Sequence, residues 1–300
     1  MTSTAVAAAV AAAIPDNDDD RNAETETEIE VEVAHSPEDF VAGYRIVSEA
    51  LGRQVGDPVW QASNPGWDTA EGQAAGARRM LHRSRTATAD RDGNPNAVFL
   101  KASVPDPDAA PARGGPGPGP GCDRRRVIVG FALWIQSSTR PEHGTVHSGE
   151  LRDAVDLEAL LPGDGRAQAF LCQMYRCQVR PRLEFLRAKE EEAAAAATAE
   201  GGAGPSPPSP PVILVLGTCA THPSYQRRGV GTKLTRWGLD EARRRGVSDV
   251  TVEASAMGRR LYERLGFRPQ GRDIVYETDE EFAGRGKPSN VFMVYSRNSS

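Results

Sequence analysis

The chain has 300 residues, a net charge of −5 and 39% hydrophobic residues. That is enough apolar material for one ordinary domain, and the mild acidity argues against a dedicated nucleic-acid binder, which carries a basic face. The four cysteines show no paired CxxC spacing and no nearby histidine cluster, so a structural zinc site is not expected, nor any other metal.

Met1–Ala23 is rich in alanine and threonine and turns acidic at Asp16, Asp18, Asp19 and Asp20. Its apolar part, Ala5–Ile14, follows no basic residue, unlike a secretory signal, and lacks the arginines of a transit peptide. A disordered tail is expected over 1–24, with reduced thiols and a cytoplasmic or nuclear location. No window approaches the ~18–20 apolar residues of a membrane span. Two Pro/Gly- and Ala-rich blocks, Pro105–Gly121 and Glu190–Pro211, cannot build a core. They are expected as solvated insertions, at about 105–125 and 190–211, in one domain spanning 25–298.

In chain order, Glu28–Val33 alternates charged and apolar residues, a half-buried strand with Ile29, Val31 and Val33 inward. Ser36-Pro-Glu-Asp39 supplies an N-cap, a proline at the first helical position and first-turn acids. Phe40, Tyr44, Val47 and Leu51 then mark an amphipathic helix. Val59–Trp67 reads as a loop with two tryptophans, and a second helix is expected over Thr69–Arg83. Asn96–Val104 and Arg126–Ile135 read as strands, the second a continuous apolar run suited to a sheet centre. A long insertion, 136–211, follows. Its middle, Arg166–Lys189, is expected as a helix with Phe170, Met174 and Cys177 on one face and a kink or break at Pro181.

Leu214–Thr221 is an apolar strand that leads through Pro223 into Gln226-Arg-Arg-Gly-Val-Gly231. A helix opening there presents unpaired N–H groups and the positive end of its dipole, which suits a phosphate. Gly229 and Gly231 allow close backbone approach, while Arg227, Arg228 and Lys233 add charge. Val230, Leu234, Gly238 and Ala242 form the packing stripe of that helix, and Arg243-Arg-Arg-Gly246 ends it. Asp249–Ala254 alternates as the next strand. Ser255 is placed to cap a short helix bearing Met257, Leu261 and Leu265, with Gly266 as its stop. Ile274–Thr278 and Val291–Ser296 are expected as a final antiparallel pair.

Two stretches resemble the GNAT superfamily of acetyl-CoA-dependent N-acetyltransferases, in a fungal-like form with a long insert. Cys219–Gly231 matches the family's Gln/Arg-x-x-Gly-x-Gly/Ala loop with the strand before it, and Leu261-Tyr-Glu-Arg-Leu-Gly-Phe267 matches its Leu-Tyr-x-x-x-Gly-Phe ending. The resemblance implies an α/β (α+β) fold with a mixed, mostly antiparallel sheet of six or seven strands, in the order βααββ-insertion-βαβαββ. It implies that the backbone of Cys219, Ala220 and Thr221 pairs with the pantetheine arm of acetyl-CoA. The amides of Gln226, Arg227, Arg228, Gly229, Val230, Gly231 and Thr232 would hold the pyrophosphate, and Tyr262 would stand near the sulfur as general acid. Where the family often has asparagine, this chain has Ser255.

The expected reaction is acetyl transfer from acetyl-CoA to an amine, on a small molecule or a peptide, by direct attack in a ternary complex. Glu253, His222 or a water chain stand as alternatives for the base. Cys219 lacks a partner arrangement for a nucleophile and reads as a strand cysteine. The family's acceptor side corresponds here to Trp60, Trp67 and the acids Asp279, Glu280 and Glu281. The competing reading is a CoA-binding sensor or interaction module of the same fold. A nucleotide-binding α/β protein is disfavoured, because neither G-x-G-x-x-G nor G-x-x-x-x-G-K-[ST] occurs.

Overall fold

The computed structural model describes residues 28–108, 125–199 and 210–297. The expected tail over 1–24, residues 109–124 of the first expected insertion and 200–209 of the second lie outside the described residues, while 190–199, expected as solvated insertion, is helical. Seven strands form one sheet in the order β1-β2-β3-β4-β5-β7-β6. They are β1 (Glu30–Val33), β2 (Ala97–Pro105), β3 (Arg126–Ser138), β4 (Val212–Thr221), β5 (Asp249–Ser255), β6 (Arg268–Asp273) and β7 (Asn290–Ser296). Every neighbouring pair is antiparallel except β4 and β5. The expected mixed, mostly antiparallel sheet is therefore the observed one. The strand paired with β7 is β6, whereas Ile274–Thr278, expected in that role, runs on as an irregular segment.

One sheet face is covered by α6 (Val230–Arg244) and the short α7 (Arg259–Arg264). Trp134, Leu214, Leu216, Val230, Leu234, Ala242 and Met293 pack together there. Gly238 lets α6 lie against the sheet, since a Cβ at that position would fall 2.1 Å from the Trp134 indole. The other face is covered by α1 (Pro37–Val47), which starts with the capping box of Ser36 and Asp39 that its sequence predicts. Phe40 stands edge-on to Phe99 and Phe131, with ring centroids 5.3 and 5.9 Å away. Burying an aromatic of this kind contributes about 1.5–3 kcal/mol.

Beyond α1 the chain widens into a π-helical turn, Ser48–Val55, and ends in the left-handed Gly56. The expected tryptophan loop begins instead as α2 (Pro58–Ala62), because Asp57 accepts from the N–H groups of Val59 and Trp60 and so nucleates a turn. Next comes α3 (Ala70–Arg85). The insertion holds α4 (Leu157–Leu160) and a long helix, α5 (Gly165–Ala199). α5 runs without a break through Pro181 and ten residues past the expected end at Lys189. Proline removes one ladder bond, and the neighbouring turns hold the rest. Ser255 does not cap α7: it closes a turn, with its carbonyl accepting from the Gly258 N–H, and Gly258 takes the cap position.

The main irregularity of the sheet lies at the β4–β5 seam. The two strands pair only from Ile213/Asp249 to Leu216/Val252. β4 then continues to Thr221 on β3, after a register shift at Gly217, while β5 continues to Ser255 on β7. A shift of this kind bends one strand away from its neighbour. Residues 217–221 and 253–255 thus face each other across a splay with their ladder positions open.

Candidate active site

The splay leads directly into the glycine turn. Thr221 ends the open edge of β4, His222–Tyr225 makes one tight turn, and α6 starts at Val230. Arg227 is the one non-glycine with a positive φ, 65°, among the described residues, and Gly229 follows at 87°. These left-handed steps turn successive N–H groups toward one point. No side chain caps α6 and no acid lies in its first turn, so the helix itself supplies no group that neutralises this end. Arg227 is exposed, and the Arg228 guanidinium lies 5.1 Å from the Tyr225 ring. Gln226 joins three parts. Its amide donates to the Thr221 carbonyl at 3.2 Å and exchanges bonds of 3.1 and 2.7 Å with Gln54 of the π-turn. Gln54 has no sequence signal, since 172 positions separate the two.

Side chains on β4 and β5 alternate between the sheet faces. Cys219 faces α6 and packs with Tyr262, which is 6% exposed, whereas Ala220 faces α1. Burial pushes the Cys219 thiol up to about 12, against weaker opposing bonds from Tyr262 and Thr235, so it stays a neutral thiol. Burial, reinforced by Cys219, also raises Tyr262 well above the usual phenol range. The Thr235 hydroxyl in turn donates to the Gly231 carbonyl at 2.8 Å, which links this trio to the glycine turn.

Glu253 lies on the opposite face. Both its carboxylate oxygens are held by Arg182 of α5, at 2.9 and 2.6 Å. The two side chains are 7% and 4% exposed. Burial alone would lower Arg182, but the charge and bonds of Glu253 outweigh it and hold the guanidinium above its ordinary value. With both oxygens engaged in a buried bidentate pair, Glu253 is arranged to hold Arg182. His222 is occupied locally, accepting from the Ser224 N–H and standing edge-on to Tyr225.

The acceptor-side expectations acquire definite surroundings. Trp60 and Trp67 pack edge-on at 5.8 Å, and Trp60 also lies against Tyr44, so the pair braces the π-turn. Asp279 accepts from Gln173 at 2.6 Å and Glu281 from Arg166 at 2.8 Å. Those acids clamp α5 to the segment between β6 and β7. Under the clamp lies a small apolar layer of Phe170, Met174, Cys177, Ile274, Tyr276 and Phe282, flanked by Val59 and Ala62 of α2. The helix face expected from Phe170, Met174 and Cys177 is this contact. Nearby, His147 stands 3.4 Å from the Tyr175 hydroxyl, and burial, with Arg182 and Arg83, pushes it down to about 4. Among the described residues, no cluster of three or more His, Cys, Asp or Glu could hold a metal, and no helix is long and apolar enough to cross a membrane.

The model of the Acetyltransferase (GNAT) family matches residues 158–267, from α4 to the residue after the glycine that ends α7. Among solved structures, arylalkylamine N-acetyltransferase 2 from Aedes aegypti is 14% identical, covering 90% of this chain and 99% of that one at a TM-score of 0.50. The Drosophila melanogaster polyamine N-acetyltransferase, described as forming N-acetylagmatine, is 14% identical over 89% of this chain and 99% of that one, with a TM-score of 0.47. A structure described as histone acetyltransferase HPA2 and related acetyltransferase, from Corynebacterium glutamicum, is 19% identical over 89% and 95%, with a TM-score of 0.45. At such identities the likeness concerns the fold. No curated protein matches the sequence.

Proposed function

Because the chain is a member of the GNAT superfamily of acetyltransferases, we propose that it transfers an acetyl group from acetyl-CoA to the nitrogen of an amine, by direct attack in a ternary complex. The observation that supports this most is the splay: an open strand edge at 217–221 that runs into an uncapped helix N-terminus. An elongated substrate with an amide-bearing arm and a pyrophosphate suits both halves at once. The backbone of Cys219, Ala220 and Thr221 would pair with the arm. The N–H groups from Gln226 to Thr232 would receive the pyrophosphate, with Arg227 and Arg228 close by.

The chemistry needs an amine free of its extra proton, a stabilised oxyanion and a proton or hydrogen bond for the departing sulfur. Tyr262 serves the last need. An ordinary thiol titrates near ~8.5 and an ordinary phenol near ~10. With Tyr262 raised further, full proton transfer is uphill, and the phenol acts by donating a strong hydrogen bond to the developing thiolate. Glu253 holds the acceptor side through Arg182, and the amine's proton leaves through water.

Acetyl-CoA at 100 times its Kd should stabilise the fold by about 2.7 kcal/mol, while ATP and NAD should not. Equal melting temperatures with and without acetyl-CoA would remove the reading. Acetyl transfer to a panel of arylalkylamines, polyamines, amino sugars and histone-like peptides then tests the activity. The engaged state of Glu253 favours a second reading, a CoA-binding module without turnover. Binding with no acetylated amine would support it.

A further inference from the structure

Asn290 opens β7 and pairs with Ser255, the last residue of β5 and the end of the splay. Ala254 and Val291, one step along each strand, belong to the core under α6 and α7. Ser255 and Asn290 therefore face the other way, toward the side where Arg182 holds Glu253. The Asn290 side-chain N–H donates to the Tyr276 hydroxyl at 3.0 Å. Its carbonyl oxygen, Oδ1, is buried with no hydrogen-bond partner among the described residues, in a residue only 5% exposed.

Such a group is expensive. A buried acceptor without a donor costs about 1–3 kcal/mol, and folded proteins seldom leave one. The cost falls away if a ligand brings an N–H. Position and chemistry agree on which ligand that is. Asn290 is the ladder partner of the residue that ends the splay, on the sheet face opposite Tyr262, the side from which a nitrogen would approach a thioester lying in the splay.

We propose that Asn290, oriented by Tyr276, is the subsite for the acceptor amine, and that the acceptor is a primary amine carried on an apolar body. One N–H of the neutral amine donates to Asn290 Oδ1, which leaves the nitrogen lone pair free to attack. The apolar body follows from the surroundings, since Tyr276 is part of the layer of Phe170, Met174, Ile274 and Phe282. The nearby acids Glu253, Asp279 and Glu281 are already bonded to Arg182, Gln173 and Arg166. A second cationic group would have to lie against that apolar layer, which disfavours polyamines.

The proposal rests on the amine-acetylating reading and is tested separately from it. In the double variant Asn290→Leu with Tyr276→Phe, apolar shapes replace the orphaned carbonyl and its partner. Its melting temperature should equal or exceed that of the wild type, because an unmatched polar group is gone. Its kcat/KM for 2-phenylethylamine should fall at least 30-fold, with acetyl-CoA affinity within twofold. Asn290→Asp, which keeps an acceptor oxygen, should retain more activity than Asn290→Ala, and this pair of single variants decides the matter should the double variant not fold. The wild type should prefer 2-phenylethylamine to spermidine by at least tenfold. A double variant within threefold of wild type, equal activity of the two single variants, or a preference for spermidine would overturn the proposal. If the wild type acetylates no amine, it is the activity reading that fails. The subsite is then judged by whether 2-phenylethylamine raises the melting temperature of the CoA complex in wild type and not in the variant, an equal shift in both overturning it.

Discussion

The role we propose for Tyr262 depends on its environment. Its ring lies edge-on to Phe267 at 5.7 Å, its hydroxyl meets Cys219, and burial keeps it protonated far into the alkaline range. Tyr262→Phe should lower kcat by about 10²–10⁴ with acetyl-CoA affinity nearly unchanged. Since the folded pKa is raised, the donating form persists as pH climbs, and Tyr262 should add no fall in kcat between about pH 7 and 9.5. An alkaline limb inside that range that disappears in Tyr262→Phe would contradict the assignment. Tyr262 stands out in the sequence because a short motif ends in Gly266-Phe267. Its partner Cys219 was legible as a strand residue, though not as its neighbour. Asn290 and Tyr276 were illegible: an asparagine at a strand start looks like any other, and only the fold reveals that one of its oxygens lacks a donor.

α5 was half readable. The spacing of Phe170, Met174 and Cys177 announces an apolar face, but not what covers it. Arg182 meets Glu253 across 71 positions, which no local pattern encodes. The charged residues that look solvated in the sequence are the fasteners: Arg166 to Glu281, Gln173 to Asp279 and Arg182 to Glu253. Only the last is buried, so it should dominate. Arg182→Ala strands a buried carboxylate and should cost about 3–5 kcal/mol in chemical denaturation. Replacing both partners, as Arg182→Met with Glu253→Met, should recover most of that loss. A single variant that loses less than 1 kcal/mol would show that the pair is not a fastener. The surface pair Arg166–Glu281 should give about 0–1 kcal/mol in the same assay.

For the whole molecule, acid is the informative stress. His147 is pushed from 6.5 down to about 4 in the fold. In the unfolded chain it binds a proton below its ordinary pKa, whereas in the fold it resists until about 4. The unfolded state therefore holds more protons across that window, and stability drops as pH falls through it, by up to about 3 kcal/mol from this residue. His147→Phe should flatten the stability curve between pH 6.5 and 4, and an unchanged slope would count against the burial described. At this scale the sheet's composition and most strand positions were legible, because alternation and turn residues are local. The order β5-β7-β6 and the choice of β6 over 274–278 depend on long-range pairing and were not readable. The four-row β4–β5 seam, finally, has a mechanical meaning. β1 to β4 form one panel and β5 to β7 another, and the seam is the crease between them. α5 springs from the first panel and is bolted to the second, like a stay across a half-open book. The angle of the crease sets the width of the slot between 217–221 and 253–255. Slot width is thus tied to an inserted strut, and a change on the strut's own side of a bolt, at Arg182, Gln173 or Arg166, should retune how fast a bound molecule exchanges while leaving 217–221 and 253–255 unaltered.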